Sequence, residues 1–536
     1  MSAVGDTETQ ADVGVAEEQK ASSYAYYGLS VLVVVYILNF IDRQILSILA
    51  NDIKADLGLT DSDLGFLYGT AFAVFYALFG IPLGKLADNW DRVRLLTVGL
   101  TLWSAMTALS GFSKNGFMLT AARIGVGVGE ATASPSAYSL ISDWFPKNMR
   151  ATALAIYSSG LYLGGGISLF IGALVVEKWN AAYSGGGPLG LVGWQAAFMV
   201  VGIPGLLLAL LVSTLREPAR GAIDGLNTPP NTKPFKGFFE ELFAVIPPLT
   251  LIGAARRGLT PFITNILILL AIYGTAYGLS EFTTNPGEDR YFGLNKQWLF
   301  VGVGVYAVTS WASNLRTKDP AAFALIWRNP AFLCTIMGYG TVAFVSYASS
   351  YWAAPYAERV LGIPKTEIGL LIGGPAAVAG FLGVIMGGRM ADYLRARNPA
   401  GRIFVIAFGA IAPVVPFIIA FTTQSTTVFY IANFIAGVCV ASALGAAAAT
   451  TQDLVLPRMR GTATATFFLA TTLFGLALGP YMAGQVSTVT GDLATGILST
   501  LAVLPFGVIL LIAAYRLVPK AENSLIERAR AAGEPI

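Results

Sequence analysis

"GKLAD", residues 84–88, returns as "GRMAD" at 388–392, and "DWFPKNMRATA", 143–153, returns as "DLVLPRMRGTA" at 453–463. The offsets, 304 and 310 residues, nearly agree, so one unit is written twice in this chain. Both motifs lie in short polar stretches between long apolar runs. Runs long enough to cross a bilayer fall near 24–50, 63–87, 94–112, 116–143, 150–178 and 194–215, and again near 331–355, 367–391, 402–421, 427–452, 461–486 and 493–515. Each motif follows the same span of its set, the second or the fourth, so both copies share one orientation. The pattern predicts an all-α polytopic membrane protein of two six-helix bundles, with a binding site at their interface near the midplane.

Composition agrees. The 536 residues are 55% hydrophobic and 12% charged, as expected where lipid replaces water around most helices. A net charge of +3 gives no reason to expect a nucleic-acid partner. Location of charge says more than its sum. Arg92/Arg94, Arg395/Arg397/Arg402 and Arg458/Arg460 fall on one side of the alternating spans, and loops such as "TTQSTT" carry no basic residue. By the positive-inside rule both termini are cytoplasmic. The expected organisation is a disordered tail over 1–22, a first bundle over 23–216, a linker over 217–329, a second bundle over 330–518 and a tail over 519–536. The linker holds a surface helix near Phe235–Val245 and two further apolar runs, near 260–280 and 297–315, which read as a membrane hairpin. Fourteen crossings are expected in all.

The chain has no histidine, which removes the usual Ser-His-Asp and Cys-His arrangements and zinc-protease motifs. Cys334 and Cys439 are isolated thiols in apolar segments, without metal-ligand spacing. No enzyme, metal site or cofactor is expected. "GVGVGE", 125–130, neither follows a strand nor opens a βαβ unit, so it reads as small residues for close helix packing, not as a nucleotide loop.

"GIPLGKLADNWDRVR", 80–94, resembles the loop signature of the major facilitator superfamily, with Gly84, Asp88, Arg92 and Arg94 at its positions. "RIGVGVGEA", 123–131, resembles the superfamily's helix-4 signature. "NFIDRQILS", "GFLYGTAFAVFYALFGIPLGKLAD" and "ARIGVGVGEATASPSAYSLISDWFP" are similar to bacterial members of its Spinster family. The resemblance implies a monomeric carrier in the bacterial inner membrane, working by rocker-switch alternating access. Relatives in that family move lysophospholipids or sphingosine-1-phosphate, so an amphipathic anionic lipid is the implied substrate. Organic anion symporters share the helix-1 Asp-Arg pair and supply the alternative. The resemblance also implies a conformational latch: Asp88 at the end of helix 2 paired with Arg92, Asp143 at the end of helix 4, and Asp392, Arg395 and Asp453 in the second copy. Helices 5 and 7 line the cavity in the superfamily, which makes Tyr157, Tyr162, Tyr347 and Tyr351 candidate substrate contacts.

The residues themselves locate the chemistry. Ionisable groups facing lipid cost several kcal/mol, so those within spans turn inward. The deep ones are Asp42, Arg43, Arg123 and Glu130, all in the first half. The equivalents of Arg123 and Glu130 at an offset of 310 are Asn433 and Val440, so charge survives in one copy only. Asp42 lies roughly 15 Å below the outer end of helix 1 and Arg123 roughly 12 Å below that of helix 4, at 1.5 Å per residue. The two are therefore expected to meet. Asp42 then serves as a proton switch governed by water access and by its distance from Arg123, with Glu130 as a second protonatable group. Arg123 and Arg43 would hold an anionic headgroup.

Overall fold

The computed structural model describes residues 21–183, 186–224 and 232–535; all of the expected N-terminal tail but its last two residues lies outside them. The first half holds six helical spans: α1 (Ser23–Leu57), α2 (Asp61–Asn89), α3 (Arg92–Ser110), α4 (Gly116–Glu130 continuing as Ala133–Trp144), α5 (Lys147–Ala182) and α6 (Gly193–Val212). The Ser22 hydroxyl accepts from the Ala25 amide to start α1, and Gly58, at φ 63°, ends it. The linker supplies α7 (Pro234–Val245), α8 (Leu249–Arg257), α9 (Leu259–Thr283) and α10 (Lys296–Lys318). The second half repeats the six: α11 (Pro330–Arg359), α12 (Lys365–Arg397), α13 (Gly401–Thr422), α14 (Thr426–Asp453), α15 (Pro457–Thr490) and α16 (Leu493–Asn523), followed by the short α17 (Leu525–Ala531).

Twelve of these helices are long and apolar enough to cross a membrane among the described residues, against fourteen expected. The two that fall short have physical reasons. α4 is broken after Glu130 because Pro135 can neither donate to the carbonyl of residue 131 nor avoid its bulk. α10 is 23 residues long but carries Gln297, Ser310, Asn314, Arg316 and Lys318. α7 and α8 are long and apolar enough to span only if taken together, and they meet at 99°.

A clasp of polar contacts joins the two bundles at the end where α1 stops and α2 begins. Asp61 accepts from Lys54 at 2.6 Å, Arg359 at 2.7 Å and Ser487 at 2.7 Å. Asn51 donates to Glu358 at 2.7 Å, and Lys365 pairs with Asp52 at 2.8 Å. Deeper in, Ser47 Oγ donates to the Tyr351 carbonyl at 2.5 Å and Gln44 to that of Ser350 at 3.0 Å. Among the described residues, every side-chain hydrogen bond or ion pair between the bundles lies between mid-depth and this closed end. The opposite end carries Arg92, Arg94, Arg395, Arg397 and Arg402 and shows no such bond among them.

Candidate functional site

Close helix packing brings the deep charges together. A Cβ on Gly127 would stand 2.7 Å from the Phe72 carbonyl of α2, and one on Gly129 2.8 Å from the Gly99 carbonyl of α3. The "GVGVGE" glycines thus let α4 lie against both neighbours, which carries Arg123 and Glu130 to the face of α1. There Arg43 Nε donates to Glu130 Oε2 at 2.6 Å. Arg123 Nη1 donates to the main-chain carbonyl of Asp42 at 3.2 Å. The expected meeting of Asp42 and Arg123 occurs, but through the backbone: the carboxylate itself is not the acceptor.

Asp42 is fully buried, its carboxyl paired with no cation among the described residues and facing the Thr107 hydroxyl of α3. Glu130, Arg123 and Arg43 are the charges around it. Other buried polar groups stand nearby: Asn39 of α1 beside Glu130, Ser104 and Thr107 of α3, and Arg123 Nε and Glu130 Oε1 of α4. A buried polar atom left without a partner costs roughly 1–3 kcal/mol, which makes this polar group at the centre of an apolar bundle a candidate site.

Arg43 is different. Its side chain is 19% exposed, deep in the span though it lies. Its guanidinium carbon sits 4.7 Å from the ring centres of both Phe72 and Tyr76 and 4.9 Å from that of Phe40. Phe72 also stands 5.5 Å from the Arg123 guanidinium. Tyr36 and Tyr157 stack beside this group at 4.3 Å, with Tyr138 edge-on to Tyr157 at 5.6 Å. Tyr347 of α11 lies within electrostatic range of Arg43 and Tyr76. An aromatic wall around a reachable guanidinium can hold an anion on its charge and an apolar chain on its rings. Sequence reasoning selected Tyr157 and Tyr347 but missed Tyr36, Phe40, Phe72, Tyr76 and Tyr138. The missed signal was spacing: Tyr36 and Phe40 precede Arg43 by seven and three residues, on one helix face.

The other two tyrosines lie apart from this group. Tyr351 is buried, stacked on Tyr68 at 4.2 Å, inside the closed half. Tyr162 packs over Gly380, with Phe381 beside it at 6.4 Å, where α5 crosses α12.

The loop cluster departs from expectation. Arg92 is fully buried and pairs with Asp143 and, at 2.7 Å, with Glu217; it also donates to the Ser139 hydroxyl at 2.8 Å and the Pro218 carbonyl at 2.8 Å. Asp88 is exposed and is not the partner of Arg92. The reason is geometric: Arg92 opens α3 and points toward the ends of α4 and α6, whereas Asp88 closes the exposed edge of α2. Gly84 sits just before it on α2, and Arg94 is exposed and paired with Asp91 at 3.6 Å. In the second copy Arg402 pairs with Asp453 and stands 3.8 Å from Asp392, while Arg395 pairs with Glu522 at 2.5 Å. Arg92 and Arg402 are 310 residues apart, as are Asp143 and Asp453, so the repeat conserves a pairing that the expectation placed on Asp88. Glu217 follows the sixth span of the first half and Glu522 stands in the last turn of that of the second; both escaped notice for want of a conspicuous motif.

The model of the family described as Major Facilitator Superfamily matches residues 32–480 and 331–536. An "MFS-type efflux pump" of Mycolicibacterium smegmatis is 25% identical over 92% of this chain and 90% of its own length. "Protein spinster homolog 1" of Xenopus tropicalis is 26% identical over 87% of this chain and 74% of its own. Among solved structures, a bacterial homolog of the human lysosomal transporter Spinster, inward-facing and unoccupied, superposes with a TM-score of 0.69 at 25% identity, over 94% of this chain and 99% of that one. The inward-open xylose transporter XylE of E. coli shares the fold at 14% identity and a TM-score of 0.60.

Proposed function

This integral membrane protein belongs to the major facilitator superfamily, as a transporter of the Spinster type, and from that we propose that it couples proton movement to the transport of an amphipathic anionic lipid. The observation that carries the reading is the fully buried Asp42 carboxyl, next in the chain to the reachable Arg43 on α1 and with no cation among the described residues paired to it. We place the basic end in the cytoplasm on the positive-inside rule, with the closed end outward. The two bundles then rock about the central site.

In this scheme a proton taken up by Asp42 removes its charge from the field around Arg123 and Glu130. Glu130, the ion-pair partner of Arg43, is the second protonatable group. Weakening that pair frees the Arg43 guanidinium for a phosphate or carboxylate. Arg123 holds the α1 backbone through the Asp42 carbonyl and so links proton occupancy to the position of α1. The rings of Phe40 and Tyr76, backed by the buried Phe72 and Tyr157 and faced by Tyr347, accept the apolar part of the substrate. The buried groups around Arg92 and Arg402 act as paired latches at the basic end, with Asp143, Asp453, Glu217 and Glu522 as their acids. The carrier works as a monomer.

The test is uptake of labelled lysophosphatidylglycerol into proteoliposomes under an imposed pH gradient. Wild-type protein should accumulate the lipid with the gradient. Asp42→Asn, which keeps the shape and removes the titration, should transport at the same rate with or without it. Undiminished gradient dependence in Asp42→Asn would refute the switch. A small organic anion is the second reading, because a reachable arginine stacked on aromatic rings binds a carboxylate equally well. Competition of the lysolipid signal by soluble dicarboxylates would favour it.

A further inference from the structure

The linker hairpin α9–α10 is not part of the duplicated unit, yet it is bonded into the line where the two halves meet. At the closed end α2 and α15 touch directly: Gly65 and Gly69 of α2 lie against the carbonyls of Pro480 and Leu476. Deeper in, α10 comes against both. A Cβ on Gly304 would stand 3.0 Å from Leu473 of α15 and 3.4 Å from Val74 of α2, and Leu78, Leu469 and Trp311 belong to the same buried cluster. The Thr70 hydroxyl of α2 stands 2.7 Å from Gln297 Oε1 of α10 and 2.6 Å from the Ala477 carbonyl of α15. Gln297 Nε2 donates to that same carbonyl at 3.3 Å. Thr70 and Gln297 are both fully buried, so a side chain of the hairpin completes a polar knot of three helices.

The tip of the hairpin, residues 284–296, ties the same two helices nearer the surface. Asn285 donates to Ser62 of α2 at 3.2 Å and to Gln485 of α15 at 3.1 Å. Gln485 donates back to Asn285 at 3.0 Å and to the Thr283 carbonyl at 2.9 Å. Lys296 pairs with Asp63 of α2, whose carboxylate also accepts from the Thr60 amide at 2.8 Å. The tip is stiff in itself. Arg290–Tyr291 and Leu294–Asn295 form a short antiparallel ribbon, Tyr273 donates to the Phe292 carbonyl at 2.9 Å, and Trp298 Nε1 donates to the Thr283 hydroxyl at 2.8 Å. The two attachments differ in kind. The tie to α2 includes an ion pair, and at the other end of α10 Lys318 pairs at 3.0 Å with Glu241 of α7, which packs on α2 through Phe235 and Trp90 at 5.3 Å. The partners on α15, Gln485 and the Ala477 carbonyl, are neutral. Charge-assisted bonds are roughly twice as strong as neutral ones.

We propose that the hairpin is a strap on the transport cycle: it holds α2 to α15 in the form closed at this end, and it stays with α2 and releases α15 when that end opens. A stiff tip bonded to both helices cannot stretch as they part. The Asn285–Gln485 pair and the bond from Gln297 to the Ala477 carbonyl must break, whereas the pair of Lys296 with Asp63 need not. These bonds exist in one form only, so they shift the balance of the two forms without touching the central site. The strap rests on the rocking of the bundles stated above, and on neither the substrate nor the coupling ion proposed there.

Pulsed electron resonance on the full chain in phospholipid nanodiscs tests this. Spin labels at the exposed Lys178 of α5 and Val489 of α15 report opening, and a third position, the exposed Phe282 at the end of α9, reports the hairpin. Asn285→Ala and Gln485→Ala cut the tie between tip and α15 from its two sides. Each should raise the ratio of long- to short-distance Lys178–Val489 populations about fivefold, as the loss of a neutral hydrogen bond or two implies. In the long-distance population the Phe282–Lys178 distance should stay at its wild-type value while the Phe282–Val489 distance lengthens. A wild-type ratio in either folded variant would overturn the strap. A hairpin that keeps its distance to Val489 and leaves Lys178 would overturn its attachment to α2. No transported substrate and no pH gradient enters the measurement, so a failure to move lysolipid would strike the substrate reading and leave the strap standing.

Discussion

Arg43 is held by two different forces, and they can be separated. Its Nε–Glu130 bond is ionic and survives any cation that reaches the carboxylate, whereas its contacts with Phe40, Phe72 and Tyr76 depend on a flat guanidinium. Arg43→Lys keeps the charge and loses the stacking. It is expected to raise KM about tenfold with little change in kcat, corresponding to about 1.4 kcal/mol and within the range of partly desolvated cation–π contacts. Initial-rate kinetics in proteoliposomes check it; an unchanged KM would show that the aromatic wall does not position the headgroup. The sequence exposed all four deep charges, because ionisable residues inside apolar spans stand out. It did not expose who pairs with whom. Arg43 and Glu130 are 87 residues apart, and only the crossing of α1 with α4 makes them neighbours.

Helix ends carry a second lesson. α17 brings the C-terminal segment back under the second bundle, where Arg458, at the start of α15, binds Asp319 at 2.6 Å and Glu534 at 2.5 Å. The Arg458 guanidinium holds both carboxyls below their ordinary values. Groups whose values are lowered by folding stabilise the docked form at pH above their unfolded values, and the contribution disappears as pH falls through the folded ones. Docking of α17 should therefore be complete at neutral pH, begin to weaken below about pH 4, where the free carboxyls protonate, and be lost in stronger acid. A nitroxide at the exposed Ile526 should be immobilised at pH 7 and mobile in acid, and Arg458→Gln should leave it mobile throughout. A label equally immobile at about pH 2, where even lowered carboxyls are protonated, would contradict the docking. The 519–536 stretch looked from its polarity like a plain tail, because hydrophobic periodicity over seven residues is too short to announce a helix.

Rocking requires one end of the bundle pair to release when the other closes, and the closed end depends on Asp61. It takes three donors, from α1, α11 and α15, and so ties both halves. Asp61→Asn keeps the size and weakens each charge-assisted bond, which is expected to shift about a tenth or more of the population toward the form open at that end. Spin labels on the exposed Lys178 and Val489, one per bundle, should then show a longer-distance population by pulsed electron resonance. A distance distribution identical to wild type would remove Asp61 from the clasp. The duplicated motifs, the order of apolar runs and the side that collects arginine were all readable in one dimension. Spans need a minimum apolar length, loops sort by charge, and a repeat is visible wherever its letters survive. The partners of Arg92, the aromatic wall around Arg43 and the seating of Gly304 between α2 and α15 were fixed in three dimensions alone. Each depends on where helices separated by tens to hundreds of residues cross, and crossing is set by the fit of side chains across interfaces that no local pattern encodes.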